Sequence, residues 1–142
     1  MSTEENKALV RQWLEGVDTG EIAVINKFLA EEFDDHNPPP VPGLPPGIEG
    51  VRQAFAYALT AFTDFRHEIK DQYAEGDTVI TRLVGYGKHT GEFLGCPPTG
   101  NDVKMEGIAI HRVADGKIVE HWSQIDGVGL LIQLGAIPPP PG

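Results

Sequence analysis

Cysteine is nearly absent from this chain: Cys96 stands alone among 142 residues. One thiol excludes an intramolecular disulfide framework and a Cys-rich metal site. Positive charge is also scarce, with 11 Lys and Arg against 21 Asp and Glu and a net charge of −10. Such a surface repels phosphate backbones, so nucleic acid is not expected as a partner. No basic amphipathic stretch argues for a membrane surface. No apolar run reaches the length of about 18 residues that spans a bilayer. The N-terminus, MSTEENKALV, is polar and acidic rather than a secretory leader, and the expected location is the cytoplasm. No HExxH motif or tight His-x-His pair occurs, and no glycine-rich loop sits between a strand and a helix. No protein-bound metal and no phosphate-cradling loop are therefore expected. Internal repeats are absent as well.

The length fits one domain over residues 1–142, enough to bury a real core. Its first third reads as helices. Ser2 or Thr3 can cap a helix with Glu4 and Glu5 in its first turn, and Leu9, Val10, Trp13, Leu14 and Val17 recur at helical spacing. A second helix begins near Glu21 and stops before the corner Asp35-His36-Asn37-Pro38. The run 38–46, PPPVPGLPP, is an extended loop stiffened by proline. A third helix is expected from about Ile48 to Thr63. Strands follow over Phe65 to Ala74 and Asp77 to His89, then a Gly- and Pro-rich loop over 90–101 and a hairpin through Asp126. A short helix ends at Gly135, and the tail 138–142 lies on the surface. Helices followed by antiparallel strands indicate an α+β fold. The expected form is a cone-shaped α+β barrel: a curved antiparallel sheet, with the N-terminal helices enclosing an apolar cavity.

The segment His111 to Asp126, HRVADGKIVEHWSQID, carries the chemistry. Asp115-Gly116 is a two-residue turn signal. Counting outward with regular pairing sets Val113 opposite Ile118, His111 opposite Glu120, Ala109 opposite Trp122, Gly107 opposite Gln124 and Met105 opposite Asp126. One face then mixes apolar and ionisable groups, as a pocket wall does. The other carries Ile108, Ile110, Val119, His121, Ser123 and Ile125. That face also needs cover, and a second subunit supplies it, so a homodimer through the sheet is expected.

Several motifs combine along the chain: the Asp-His-Asn-Pro corner, His89-Thr90-Gly91-Glu92-Phe93, Pro97-Pro98-Thr99-Gly100, the run Asp115 to Trp122, Asp126, and Gln133-Leu134-Gly135. Together they resemble the SnoaL-like polyketide cyclases of the nuclear transport factor 2-like superfamily, over about residues 5 to 137. The resemblance implies a cone with a deep apolar cavity, a dimer or tetramer, a hydrophobic small-molecule substrate and no cofactor. It implies a pocket aspartate as general acid/base in an intramolecular aldol condensation, assisted by a histidine. By position these roles fall to Asp126 and His111. Many members carry an acid directly after the His-Trp pair, where this chain has Ser123.

Each candidate has a structural alternative. Asp126 could instead cap the last helix. His111 and Glu120 could form an acid–base couple or a structural ion pair. His89, at a strand end, and His36 and Asn37, at the corner, could border the cavity mouth or merely be solvated or capping groups. Trp122, Gln124, Met105 and Trp13 are expected to line the substrate site or the core around it, and His121 to lie at the dimer interface. The leading reading is a cofactor-independent enzyme on a hydrophobic carbonyl compound, by aldol condensation or by isomerisation or hydrolysis in the same pocket. The alternatives are a binding protein without turnover and a dimerisation module without a cavity.

Overall fold

Ser2 opens the first helix, α1 (Thr3–Asp18), with a capping box. Its Oγ accepts from the Glu5 N–H at 3.1 Å, while Glu5 Oε1 accepts from the Ser2 N–H at 3.2 Å. The computed structural model describes residues 1–141, so Gly142, the end of the surface tail, lies outside the described residues. After α1 come α2 (Ala23–Phe28), β1 (Leu29–Asp35), α3 (Gly47–Ala61), β2 (Phe62–Glu75), β3 (Thr78–His89), β4 (Asp102–Ala114), β5 (Lys117–Ile125) and α4 (Gly127–Gln133). The five strands form one sheet in the order β1-β5-β4-β3-β2. The fold is α+β with the helices packed on one face of a curved sheet.

Three departures from the sequence reading matter. The second helix is only 6 residues long, and Leu29–Asp35, expected as its end, is instead an extra strand. Four acids in LAEEFDD hide a strand whose Leu29, Ala30 and Phe33 are buried. β1 pairs with β5 in parallel, so the sheet is mixed rather than wholly antiparallel. Finally, α3 ends at Ala61, and Phe62 and Thr63 already belong to β2.

One core cluster gathers Val10, Leu14, Ile25, Leu29, Phe33, Val79 and Ile118, with Trp13 packed against it. It ties α1, α2 and β1 to the sheet at one end of the molecule. A second cluster, Ala61, Phe62, Val103 and Leu134, closes the other end beneath α4. The space between them is the cavity.

The β4–β5 hairpin turns at Asp115 (φ 52°) and Gly116 (φ 74°), the two positive φ values that a type I′ turn needs. Val113 pairs with Ile118 as counted from the turn. Beyond that pair a bulge inserts one residue on β5, and Arg112 pairs with Glu120, His111 with His121, Ile110 with Trp122, Ala109 with Ser123 and Gly107 with Ile125. A bulge sets two residues against one, so every later side chain changes face. Val119, the residue skipped in the ladder, is buried like Ile118 before it. The face expected to hold Glu120, Trp122, Gln124 and Asp126 therefore carries His121, Ser123 and Ile125.

Candidate active site

An apolar cavity of about 310 Å³ lies between the sheet and helices α1 and α3. Trp13, Leu14 and Val17 of α1 line it, as do Ala54, Phe55 and Ala58 of α3 and Met105, Ala109 and Ile125 of the sheet. Few polar groups interrupt that wall. Asp35, His111, His121 and Ser123 are gathered where β1, β5 and β4 adjoin.

Asp35 ends β1, and the parallel register sets it opposite His121. His121 Nδ1 donates to Asp35 Oδ1 at 2.9 Å, with the two side chains 21% and 15% exposed. A carboxylate can only accept, so Nδ1 carries a proton, and in the neutral ring Nε2 is the nitrogen with the lone pair. The same Asp35 oxygen accepts the Asn37 N–H at 3.0 Å. Asn37 Oδ1 in turn accepts the Ser123 N–H at 2.9 Å, and the His36 N–H reaches the His121 carbonyl at 2.9 Å. The corner after β1 is thus fastened to β5 residue by residue, which holds the Asp35 carboxylate in place.

His111 stands beside this pair, its ring centroid 4.9 Å from that of His121. It is buried, and its Nδ1 has no hydrogen-bond partner. Burial pushes its pKa down to about 3, and the charge that His121 can carry pushes the same way. His111 is therefore a neutral imidazole throughout the physiological range. The cluster holds one imidazole backed by a carboxylate and one that stays uncharged. The first can gain and lose a proton; the second can donate or accept a hydrogen bond without changing charge.

The structure brings together only part of the expected site. His111, Met105 and Trp13 line the cavity. Asp126 does not: it is exposed and caps α4, its Oδ1 accepting the Gly129 N–H at 2.8 Å. The correction follows from the bulge and from α4 beginning at Gly127, which leaves Asp126 in the cap position. Glu120 faces away from the cavity, where His36 Nε2 contacts it at 2.8 Å and Arg112 forms an ion pair with it. Hydrogen bonds from His36 and then Arg112 hold its carboxyl below the usual range. His36 also lies outside the cavity, stacked on Trp122 with 4.5 Å between ring centroids. Trp122 and Gln124 share that outer face, paired with Ile110 and Ile108. Asn37 works from the corner, through β5, rather than from the wall. His89 is completely buried below the 90–101 loop, where its Nδ1 meets the Thr99 N–H at 3.2 Å, and it does not line this cavity.

Asp35 and His121 were missed as a site pair, although both types of residue were visible. The signal was there in Ile118-Val119, two adjacent apolar residues that break strict alternation in β5. Asp34, His36 and Glu120 could each offer a metal one atom within 4.8 Å of the others, but on the surface. There His36 and Glu120 are already bonded to each other, and Glu120 to Arg112.

A second apolar chamber of about 480 Å³ adjoins the first. Pro39, Ala54, Ala58, Phe65, Met105 and Ile125 line both. Tyr57, Phe62, Phe93 and Leu130 extend it toward α4 and the 90–101 loop. Pro39 and Pro40 bring the proline-rich loop over it. Together the chambers suit an elongated, mainly apolar molecule with a polar group at the imidazoles.

Comparison with known proteins places this architecture. Residues 7–134 match the family model described as SnoaL-like polyketide cyclase. The chain is 34% identical over 151 aligned positions to the aklanonic acid methyl ester cyclase DnrD of Streptomyces peucetius, covering 99% of this chain and 97% of that one. Among solved structures, TsrD from Streptomyces laurentii superposes with a TM-score of 0.84 at 28% identity, over 96% of this chain and 99% of that one. IdmH from Streptomyces antibioticus gives a TM-score of 0.79 at 32% identity, over 92% and 98% of the two chains. With a polar cluster at one end of an apolar cavity and a family match across nearly its whole length, the chain belongs to the SnoaL-like polyketide cyclases.

Proposed function

We propose that this protein is a cyclase that closes a ring in a hydrophobic, carbonyl-containing polyketide by intramolecular aldol condensation, using acid–base side chains alone. The observation that carries the reading is the Asp35–His121 pair, 2.9 Å apart in the wall of an apolar cavity, next to an imidazole that stays neutral. His121 Nε2 takes a proton from the carbon beside one carbonyl, and Asp35 stabilises the imidazolium that results. The neutral His111 donates its one N–H to the enolate oxygen. The enolate carbon then bonds to the carbon of a second carbonyl in the same molecule, and the new alkoxide recovers the proton from His121. The proton lost at the start is returned, and no electrons leave the substrate.

The family membership and the identity to a methyl ester cyclase support this reaction class. They make aklanonic acid methyl ester the first substrate to test. Wild-type protein should convert it to a cyclised product separable by chromatography. Asp35→Asn and His121→Gln should each lower turnover about 100-fold or more. Wild-type turnover in both variants would sink the assignment. Asp126→Asn, by contrast, should retain activity.

The outer sheet face supports a homodimer. Ile80 and Ile108 are 40% and 49% exposed there, and Ile110 and Trp122, paired in turn beside Ile80, continue that face toward β1. Light scattering after gel filtration should give twice the chain mass, and Ile108→Glu should give the monomer. The reading places the protein in the cytoplasm, in keeping with one free, partly buried thiol at Cys96. Among the described residues no helix is long and apolar enough to cross a membrane.

A further inference from the structure

His67, on another strand lining the same cavity, belongs to a second Asp–His pair. Asp18 is the last residue of α1, and His67 lies on β2, at the opposite edge of the sheet from β1. Asp18 Oδ1 accepts from His67 Nδ1 at 2.7 Å, and Oδ2 accepts the His67 backbone N–H at 2.9 Å. The side chains of His67 and Asp18 are 14% and 22% exposed. The edge of the Phe65 ring meets the imidazole, with 5.0 Å between centroids and 86° between planes. A carboxylate in the final turn of a helix opposes the helix dipole, so local helix stability does not explain Asp18. Its two bonds to a single histidine do: they fix the tautomer and the orientation of the ring together.

The chemistry of this pole follows from that tautomer. Nδ1–H is committed to Asp18, so in the neutral ring the free nitrogen of His67 is an acceptor, in a wall whose other polar groups gather on β1, β5 and β4. It suits a ligand hydroxyl that is a strong donor, such as a phenol or an enol, and it discriminates against an ether or a hydrocarbon at the same place. We infer that Asp18–His67 is a specificity-determining pole that binds an acidic hydroxyl of the substrate, remote from the carbon that His121 deprotonates. His67 contacts the hydroxyl, and Asp18 is its positioning residue. That the hydroxyl belongs to the cyclised substrate rests on the proposed function; that the pole prefers a phenol rests on the geometry alone.

The test uses 1-naphthol and 1-methoxynaphthalene, which share a ring system and differ in the donor. Wild-type protein should bind 1-naphthol about tenfold more tightly. Only 1-naphthol should move the ¹⁵N resonance of the His67 free ring nitrogen. His67→Phe should lose the preference while keeping its affinity for the methoxy compound. Asp18→Asn, in which the imidazole remains, should reduce the preference and shift the His67 ring resonances in the unliganded protein. Asp35→Asn should leave the preference intact. A preference that survives in His67→Phe, or the absence of any 1-naphthol binding at millimolar concentration, overturns the inference. So does a preference lost in Asp35→Asn but kept in Asp18→Asn, because the hydroxyl then sits at His121, and the proposed base would stand without this second pole.

Discussion

His111 and His121 lie opposite each other on neighbouring strands, 4.9 Å between ring centroids, yet only His121 has a carboxylate partner. Two identical side chains in one cluster thus stand in different electrostatic surroundings. The first prediction concerns the uncharged one. In the unfolded chain His111 takes up a proton near its ordinary value of 6.5, but in the folded protein only near 3. Between those values the unfolded state binds the extra proton. The contribution of His111 is therefore complete above the unfolded value and is lost as pH falls. The slope from this one proton approaches 1.4 kcal/mol per pH unit. Urea unfolding between pH 6 and pH 4 should show a shallower pH dependence in His111→Leu than in the wild type. Equal slopes would show that His111 titrates normally in the folded protein.

Glu120 and His121 are adjacent in sequence and face opposite sides of the sheet. Glu120→Gln should leave turnover within about threefold of wild type, because a charge change outside the cavity touches no reacting atom. It should also weaken the contacts with Arg112 and His36 on the outer face. A loss as large as that of His121→Gln would mean that regular pairing without the bulge describes the hairpin in solution.

Asp126 acts on α4. Asp126→Ala should lower stability by about 0.5–2 kcal/mol, the usual range for a lost N-cap, and Asp126→Ser should restore most of it. Thermal unfolding measures both. Chemistry at the imidazoles should be unaffected, so steady-state rates separate a cap from a base.

Ala54 and Ala58 form part of the wall common to both chambers. Ala58→Leu should narrow the passage at a cost of about 1–3 kcal/mol of overpacking. Conversion of a long polycyclic substrate should fall much more than binding of a two-ring probe. A parallel fall for both would mean that the second chamber takes no part in binding.

Much of this architecture could be read before any coordinates. A cap at Ser2 or Thr3 with acids in the first turn could be read, and so could the turn at Asp115-Gly116, because both depend on chemistry within a few residues. The cavity wall at Trp13 and Met105 followed from periodicity. What failed was long-range or cumulative. One residue inserted at Val119 reversed the facing of everything after it in β5, which moved Glu120, Trp122 and Gln124 out and His121 and Ser123 in. β1 escaped notice because Glu31, Glu32, Asp34 and Asp35 look like a solvated helix end. Only its docking beside β5 explains why Leu29 and Phe33 are buried. Asp18 and His67 are 49 residues apart, and no local pattern links them.

The parallel seam between β1 and β5 also has a kinetic meaning. Asp35 and His121 are separated by 86 residues and meet only when the N-terminal third of the chain docks on the finished hairpin. Loop closure over that span is slow relative to a hairpin turn. During refolding, the imidazole of His121 should therefore exist first without its carboxylate. Trp122 sits on the same seam, stacked on His36, so it provides an intrinsic optical signal for this event. In a Trp13→Phe background, its fluorescence change and the return of activity should follow one time course, later than the recovery of β-sheet circular dichroism. The protein would then gain its chemistry in a single late step, when β1 docks.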